Sequence, residues 1–245
     1  MALPPDALRF VQLGLDAAKR AGCESQCVLS LGYPDILASP EQIGALFGAG
    51  IVDALEFRPD SEEIARWHGM ASGANRIVES AHFMALLGYD LEVLDVVAAR
   101  GGERLHDLNE PLPPELHRRC ALVIDPGTLE HCFNIAQAAS NLAQMVAPGG
   151  CVFHGNPLNM YNHGFYNLNP TWYRDFYAAN GFEIEQMVAI ANPVLAPKRF
   201  EVPPTKRFGG IPENCSLYVL ARRVAETPIR WPTQSKYVNN PTLKG

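Results

Sequence analysis

The sequence predicts an α/β fold: a doubly wound, largely parallel sheet of seven strands with an antiparallel strand at one edge. Three observations carry this prediction. Short apolar runs rich in β-branched residues alternate with segments of helical periodicity along most of the 245-residue chain. Most neighbouring strands are separated by a helix, which implies right-handed crossovers between parallel strands. The last two strands are joined by a long proline-rich segment without a helical pattern, and this predicts the antiparallel member.

The N-terminal half begins with an amphipathic helix over residues 6–21, where apolar residues recur every three or four positions. The first strand follows in QCVLSLGYPDIL, residues 26–37, which contains a single glycine. Residues 39–73 are irregular, carry the short helical patterns SPEQIGALFG and SEEIARWHG, and form an elaborated region. A helix over residues 75–87 then leads into the second strand, YDLEVLDVV.

Strands and helices alternate again in the second half of the chain. The predicted elements are a strand end in ERLHDLN, a strand in RRCALVID, a helix over residues 134–146, a strand in CVFHGNP, a helix over residues 171–179, and strands in FEIEQMVAI and CSLYVLARR. From residue 224 onward the chain is polar and punctuated by prolines. We therefore expect a single domain over residues 1–223 and an extended tail over residues 224–245.

The composition argues against several classes of partner. Acidic residues outnumber basic ones by 26 to 20, giving a net charge of -6, and no long basic run suits a nucleic acid. No apolar run reaches the roughly 18 residues of a membrane span, and the N-terminus lacks the pattern of a leader peptide, so we expect a soluble, cytoplasmic protein. The six cysteines show neither a CxxC pair nor zinc spacing, which predicts buried reduced thiols and no metal site; they are Cys23, Cys27, Cys120, Cys132, Cys151 and Cys215.

Two acidic residues mark a candidate binding site. In open parallel sheets, ligands bind beyond the carboxyl ends of the strands at the topological switch point. Asp95 ends the second strand, where a carboxylate is costly to bury without a partner; a ribose diol or the turn that follows can supply that partner, and the spacing does not decide between them. Asp107 ends the next strand, where it either meets the amine of an adenine or forms an Asx-turn.

Several segments carry a family resemblance. The run CALVIDPGTLEHCFNIAQAASNLAQMVAPGGCVFHGNP resembles the fourth-strand to fifth-strand segment of class I S-adenosylmethionine-dependent methyltransferases, which have a Rossmann-like fold. NHGFYNLNPTWYRDFYAANGFEIEQMVA is similar to the helix and sixth strand of that fold, HDLNEPLP to its third strand end, and LEVLDVV to its second strand. The resemblance covers roughly residues 26–223 and is strongest over residues 118–189. It implies S-adenosylmethionine as cofactor and methyl transfer as activity.

The resemblance also implies a cofactor site at the ends of the first four strands. The residues in these positions are Gly32 and Tyr33 for the methionine part, Asp95 for the ribose, Asp107 with Leu108 for the adenine, and Asp125 at the fourth strand. Where the family has three closely spaced glycines after the first strand, this chain has LGYPDIL. S-adenosylmethionine has no pyrophosphate, so a cradle of backbone amides is not needed, and residues 66–69 or Arg76 can fold over the strand end instead.

The candidate catalytic residues are two histidines. Methyl transfer from a sulfonium depends mainly on alignment, and a base is needed only when the acceptor must lose a proton. His131, in a Leu-Glu-His step, and His163, in NMYNHGFYN, lie in strand-end loops and can serve as that base; structural roles are the alternative. Glu130 is interpreted as a helix-start carboxylate. Aromatic residues between positions 161 and 177 are expected to divide between an acceptor pocket and the core.

Three functions remain open at this point. The first is a methyltransferase for a small-molecule acceptor such as a sugar or polysaccharide precursor, which the strand-end carboxylates favour. The second is a methyltransferase-like scaffold or regulatory protein without cofactor binding, which the single glycine favours. The third, a nicotinamide-dependent oxidoreductase, is weakest because no GxGxxG occurs. Trp231 and Tyr237 in the tail suggest docking onto a second subunit, so a homo-oligomer is expected.

Overall fold

Strands and helices alternate along the part of the chain that the structure, a computed structural model, describes: residues 1–71, 76–194, 196–204, 206–238 and 240. The strands are β1 (Ala2–Leu3), β2 (Cys27–Leu31), β3 (Asp35–Ile36), β4 (Asp90–Asp95), β5 (Arg104–Leu105), β6 (Cys120–Asp125), β7 (Val146–Pro157), β8 (Phe182–Ala191), β9 (Lys198–Glu201) and β10 (Cys215–Arg223). The α-helices are α1 (Pro5–Arg20), α2 (Pro40–Phe47), α3 (Ser61–Trp67), α4 (Ser80–Leu86), α5 (Ile135–Met145), α6 (Pro170–Ala179) and α7 (Ser235–Val238).

The main sheet has the order β5-β4-β2-β6-β7-β10-β8-β9. Strands β5, β4, β2, β6 and β7 run parallel to one another, which confirms the predicted α/β, largely parallel fold class. The sheet has eight strands rather than the predicted seven, because part of the proline-rich segment forms β9. An antiparallel edge strand is present, but it is β9; the last strand, β10, inserts between β7 and β8 and pairs antiparallel with both.

Helices cover both faces of this sheet. Alternate residues along the central strands point to opposite faces, so that Val28 and Leu122 pack in the same cluster as α1, while Leu29 and Val123 pack in the cluster that contains α5. All six residues of β6 are buried, as expected for a central parallel strand. Gly14 lets α1 approach the sheet closely, since a Cβ built there comes within 2.9 Å of the Leu122 side chain.

The elaborated region lies between the first strand and the helix that enters the second. Its described part contains α2, a 3₁₀ helix (Ala49–Ala54) and α3, whereas residues 72 and 73 lie outside the described residues. The helix predicted over residues 75–87 is shorter in the structure, because Val78 instead forms β-bridges with Ile36 and Phe57. Residue 75 is also outside the described residues.

The described part of the C-terminal tail lies along α6. The Asn180 side chain donates a hydrogen bond to the Arg230 carbonyl (3.0 Å) and accepts one from the Arg230 amide (2.7 Å). The Ser235 amide donates to Asp175 Oδ2 at 3.0 Å. Residues 239 and 241–245 of the predicted tail lie outside the described residues. Among the helices that the structure describes, none is both long and apolar enough to cross a bilayer.

Candidate functional site

A hollow of about 260 Å³ opens at the carboxyl ends of the parallel strands. The chain runs from β2 outward to β4 and β5, and then returns to β6 on the other side of β2, so the topological switch point lies between β2 and β6. Ligands bind at such a point in open α/β sheets. Five of the eight predicted site residues line the hollow: Gly32, Asp95, Asp107, Leu108 and His131.

The Asp95 carboxylate has one oxygen engaged and one directed toward the hollow. Its Oδ1 accepts hydrogen bonds from the amides of Val96 (2.7 Å) and Val97 (3.3 Å), so the turn-capping interpretation is correct for this oxygen. Its Oδ2 lies 3.6 Å from a Cβ built on Gly32, and none of the described residues donates a hydrogen bond to it. The second oxygen is therefore available to a ligand hydroxyl.

Asp107 and Leu108 form the adjoining wall. Asp107 Oδ1 accepts hydrogen bonds from the Asn109 amide (2.9 Å) and side chain (2.7 Å), which are the contacts of an Asx-turn. These two bonds hold the pKa of Asp107 below its usual value. The carboxylate is exposed and also lines the hollow, whereas Leu108 is buried and supplies an apolar surface.

Asn141 anchors this wall from below. Its side chain donates to the carbonyls of Leu108 (3.0 Å) and Glu110 (2.8 Å) and accepts from the Leu112 amide (3.1 Å). Because Asn141 is fully buried on α5, these three bonds fix the loop after β5 to the body of the protein.

The side chain of Met1 enters the hollow beside Gly32. Gly32 has a φ of +76°, which favours glycine, and a Cβ built there would come within 2.6 Å of Met1 Cγ. The methyl carbon of Met1 lies 4.0 Å from a Cβ built on Gly127, so the side chain lies between the loops that follow β2 and β6. β1 holds Met1 there by pairing in parallel with β3.

Charge pairs stabilise the loop after β2. At this position the family that the sequence resembles has closely spaced glycines. Asp35 is buried and lies 3.0 Å from His68 Nε2, 2.8 Å from Arg100 Nη2 and 3.6 Å from the N-terminal nitrogen. Burial would raise the pKa of Asp35, but the His68 hydrogen bond and the charges of the N-terminal ammonium and Arg100 hold it below its usual value. Of the two predicted substitutes for the missing glycine loop, the segment around His68 reaches the strand end.

Tyr33 and Arg76 lie away from the hollow. The Tyr33 hydroxyl donates a hydrogen bond to Glu79, and the guanidinium groups of Arg58 and Arg100 lie 5.3 and 4.8 Å from its ring centre. Tyr33 is not among the residues that line the hollow, so a direct cofactor contact through its ring is not supported. Arg76 stacks over Phe57 at 3.6 Å and does not cover the strand end.

Asp125 is buried and hydrogen-bonded within the protein. It is fully buried, and its Oδ1 accepts from the amides of Thr128 (2.8 Å) and Leu129 (3.2 Å). Its Oδ2 accepts from Asn156 at 2.9 Å and lies 2.7 Å from His154 Nδ1. Burial would raise the pKa of Asp125, but the bonds to His154, Thr128 and Asn156 hold it below its usual value. Both oxygens are thus engaged within the protein, and Asp125 is not among the residues that line the hollow.

Glu130 joins the two predicted histidines into one cluster. Its side chain is 1% exposed, and its Oε1 lies 3.4 Å from His163 Nε2 and 3.9 Å from His131 Nε2. The two imidazole rings are 5.3 Å apart between centres. His131 is one of the residues that line the hollow, whereas His163 is not. Glu130 lies in the first turn of the 3₁₀ helix Leu129–His131, as the sequence predicts, but its buried side chain is also directed at the two histidines.

Burial changes the protonation of this cluster. Burial, followed by the nearby Asp125 charge, raises the pKa of Glu130 to about 8. Burial and the neighbouring His163 lower the pKa of His131. The Glu130 carboxyl group has no arginine or lysine partner among the described residues, and the imidazole of His131 beside it is mainly neutral near pH 7.

The aromatic residues between positions 161 and 177 divide as expected. Tyr173, Phe176 and Tyr177 are buried against the sheet. Tyr161 and Phe165 are 77% and 63% exposed, and Phe165 packs edge-on against the exposed Phe133 at 5.4 Å. The exposed rings stand in the same loops as His131 and His163.

Sequence reasoning missed three contributors to the site. His106 lines the hollow, and its Nε2 is buried without a hydrogen-bond partner among the described residues. Its position one residue before Asp107, at a strand end, is a sequence feature that could have identified it as a site residue. Met1 and Glu130 are placed by contacts distant in sequence, with β3 and with residue 163 respectively, and no local pattern indicates them.

No protein-family model and no curated protein sequence matches the chain. Several solved structures are similar to it. The N-methyltransferase NodS from Bradyrhizobium japonicum is 14% identical, with 90% of this chain and 97% of that chain covered and a TM-score of 0.44. The 1,6-didemethyltoxoflavin-N1-methyltransferase from Burkholderia thailandensis, solved with S-adenosylhomocysteine, is 12% identical, with 92% of each chain covered and a TM-score of 0.42.

A 16S rRNA (adenine(1408)-N(1))-methyltransferase from Catenulisporales acidiphilia is 14% identical, with 87% and 94% covered and a TM-score of 0.40. All of these TM-scores are below 0.5, so the family resemblance described from the sequence stays a prediction. At these identities and TM-scores, the likeness says nothing about this chain's acceptor or about its site residues.

The hollow suits the nucleoside part of S-adenosylmethionine better than its amino-acid part. Asp95 Oδ2 can accept from a ribose hydroxyl, and Leu108 with Asp107 offers an apolar wall beside a hydrogen-bond acceptor. At about 260 Å³, the hollow is slightly smaller than the roughly 300–1,000 Å³ of typical ligand pockets. The Met1 side chain takes up part of the space beside Gly32, where the methionine part is expected.

Proposed function

We propose that this protein is a methyltransferase that uses S-adenosylmethionine and methylates a small-molecule acceptor carrying a hydroxyl group, such as a sugar or polysaccharide precursor. The observation that carries this proposal is the convergence of Asp95, Asp107 and His131 on one hollow at the switch point of the sheet. Acidic side chains and a neutral imidazole in one small cavity suit a nucleoside cofactor with a proton acceptor beside it.

Different residues of the chain contact the cofactor and the acceptor. Asp95 and Asp107 bind the ribose and adenine, and Gly32 allows the ligand to approach the backbone closely. When bound, S-adenosylmethionine supplies a methyl group on a positively charged sulfur. His131 also lines the hollow, and its imidazole would orient the acceptor hydroxyl and accept its proton.

The proposed acceptor surface consists of the exposed rings around the two histidines. Phe133, Tyr161 and Phe165 are all more than half exposed and lie in the same loops as His131 and His163. Flat aromatic surfaces beside hydrogen-bonding groups suit a ligand that has both apolar C–H faces and hydroxyl groups, as sugars have. This combination supports a hydroxylated acceptor over a purely apolar one.

One observation favours a second candidate function. The Met1 side chain occupies space beside Gly32 that the methionine part of the cofactor would need. A protein in which this contact is permanent would be a methyltransferase-like scaffold or regulatory protein without activity. Measured cofactor binding separates the two candidates.

Isothermal titration of the full chain with S-adenosylmethionine tests the proposal. The wild type should bind one equivalent, and Asp95→Ala should weaken binding roughly tenfold to a hundredfold, as expected for the loss of a charge-assisted hydrogen bond. Asp107→Ala should have a smaller effect because this carboxylate is exposed. Asp90→Ala, at the exposed opposite end of β4, is the matched control and should change nothing. No saturable binding by the wild type favours the scaffold, and unchanged affinity in both site variants refutes the site.

A further inference from the structure

Three potential metal ligands meet at the edge of the hollow. One carboxylate oxygen of Glu130 and one ring nitrogen each of His131 and His163 lie within 4.8 Å of one another. The Glu130 oxygen is 3.4 Å from His163 Nε2 and 3.9 Å from His131 Nε2. Ligand atoms about 2.0–2.1 Å from a tetrahedral ion are separated by little more than 3 Å, so small side-chain rotations bring all three into coordination distance.

The loops that carry these ligands are fastened together. The Phe165 amide donates to the Glu130 carbonyl at 2.9 Å, and the Tyr166 hydroxyl donates to the Phe133 carbonyl at 2.8 Å. Gly164 permits this approach, because a Cβ there would come within 2.9 Å of the Glu130 carbonyl oxygen and 3.2 Å of His131 Nδ1. Although 32 residues separate His131 from His163 in the sequence, their relative position is fixed by the fold.

The carboxylate ligand has the outer contact that metal sites commonly have. Asn156 Nδ2 donates to Glu130 Oε2 at 2.8 Å, which leaves Oε1 directed at the two imidazoles. Asn156 is itself held by Asp125 and by the Tyr173 hydroxyl. Asn156 Nδ2 thus joins two buried carboxyl groups, those of Asp125 and Glu130, and a divalent cation beside Oε1 would supply positive charge there.

We propose that Glu130, His131 and His163 bind one divalent transition-metal ion, with zinc fitting the donor set best. Two imidazole nitrogens and one carboxylate oxygen form a His₂Glu set, in which the fourth position stays open for water or substrate. Imidazole donors select such ions over magnesium and calcium, which prefer oxygen ligands alone. The site was not expected from the sequence, because its third ligand comes from a distant loop.

The open position gives the ion a role at the acceptor. His131 lines the hollow, so an ion held by it would lie at the edge of the space assigned to the acceptor. In the metal-bound protein, a hydroxyl oxygen bound to the ion would have its pKa lowered and would lose its proton to water, and this would replace the proton transfer to His131 in the metal-free protein. This role rests on the proposed function, whereas metal binding itself does not.

Zinc binding to the chelator-stripped full chain, without cofactor or acceptor, tests the inference. The probe is ZnCl₂ titrated in competition with a chromophoric chelator, and elemental analysis of gel-filtered protein gives the stoichiometry. The wild type should bind one equivalent, and His131→Ala and His163→Ala should each weaken binding at least tenfold. His82→Ala is the matched control, because His82 is a half-exposed imidazole 3.7 Å from one carboxylate, that of Glu56, without a third ligand.

The outcomes are distinguishable from those of the cofactor titration. Both histidine variants involve exposed side chains, so they should fold, and unchanged melting temperatures confirm this. Less than one equivalent in the wild type, wild-type affinity in both variants, or an equal loss in His82→Ala would overturn the site. Tighter binding of MgCl₂ than of ZnCl₂ would overturn the ion assignment. If the metal site or the ion assignment is overturned but S-adenosylmethionine still binds, the proposed function is unaffected.

Discussion

Met1 lies against Gly32: a Cβ built on Gly32 would come within 2.6 Å of Met1 Cγ. The chain thus places its own methionine side chain at the end of the first parallel strand, beside the free oxygen of Asp95. Any ligand that extends from Asp95 toward Gly32 must share this space or displace the side chain. The Met1 side chain therefore affects how tightly such a ligand can bind. It opposes the part of the ligand that would lie beside Gly32.

Met1→Gly, prepared by cleavage from an N-terminal fusion, should tighten the binding of S-adenosylhomocysteine. Full burial of a methionine side chain contributes about 1.5–3 kcal/mol, and Met1 is only partly buried, so we expect roughly five- to tenfold tighter binding by calorimetry. Met70→Ala is the control, since Met70 packs in a separate cluster with Leu37, Ile64 and Ile77. Weaker binding by Met1→Gly would mean that Met1 is part of the binding surface.

Asn141→Leu should weaken both the fold and cofactor binding, although Asn141 does not line the hollow. The variant leaves the Leu112 amide and the carbonyls of Leu108 and Glu110 without their side-chain partner. We expect a loss of about 1–3 kcal/mol in the free energy of unfolding, measured by urea denaturation.

The matched control for this variant is Gln144→Leu on the same helix. The Gln144 side chain donates within α5, to the Ser140 carbonyl and hydroxyl, so its replacement leaves the loop after β5 in place. S-adenosylhomocysteine affinity should fall in Asn141→Leu and stay unchanged in Gln144→Leu. Equal affinities in the two variants would show that the Asp107 wall does not depend on Asn141.

Gly164→Ala should destabilise the protein by overpacking the contact between two loops. The added methyl group would lie 2.9 Å from the Glu130 carbonyl oxygen and 3.0 Å from Glu130 Cγ. Overpacking of this kind costs about 1–3 kcal/mol, which predicts a melting temperature several degrees lower by calorimetry. Gly50→Ala, where an added Cβ meets nothing within 4 Å, should be nearly neutral. A neutral Gly164→Ala would show that the loops are not fixed against each other.

The charge cluster at Asp35 predicts a pH dependence of stability. Because the pKa of folded Asp35 lies below its unfolded value of about 3.9, the ionised carboxylate stabilises the protein above that value. This contribution is lost as the pH falls from about 5 through the folded pKa. The melting temperature of the wild type should therefore exceed that of Asp35→Asn most strongly at pH 5–7, and the difference should shrink toward pH 3. A difference that does not change with pH would exclude the charge pairs as its source.

Most of the fold was predictable because central strands and amphipathic helices have strong local patterns. The strands over Cys27–Leu31 and Cys120–Asp125 are nearly continuous apolar runs, and both were recognised. β9 was missed because four residues inside a proline-rich segment have no clear period. The internal position of β10 was missed because strand order depends on which hydrogen-bonding edges remain open, and the sequence of one strand does not contain that information.

The candidate site was predictable where it follows the strand ends. Asp95 and Asp107 were found because the carboxyl ends of neighbouring parallel strands lie at one edge of the sheet. Asp125 follows the same rule but is buried: His154 and Asn156 on the adjacent β7 contact its Oδ2, and amides of the following loop donate to its Oδ1. The Glu130 cluster and the Met1 contact depend on long-range pairing of loops, which leaves no periodic signal.

We propose that the hollow at the switch point binds an adenosine moiety, with Asp95 as its ribose ligand. A crystal structure of the protein with S-adenosylhomocysteine tests this most directly. The predicted result is a ribose hydroxyl within hydrogen-bonding distance of Asp95 Oδ2, the adenine beside Asp107 and Leu108, and the Met1 side chain displaced from Gly32. A nucleoside bound elsewhere, such as in the groove between α6 and the C-terminal tail, with Met1 unmoved, would contradict it.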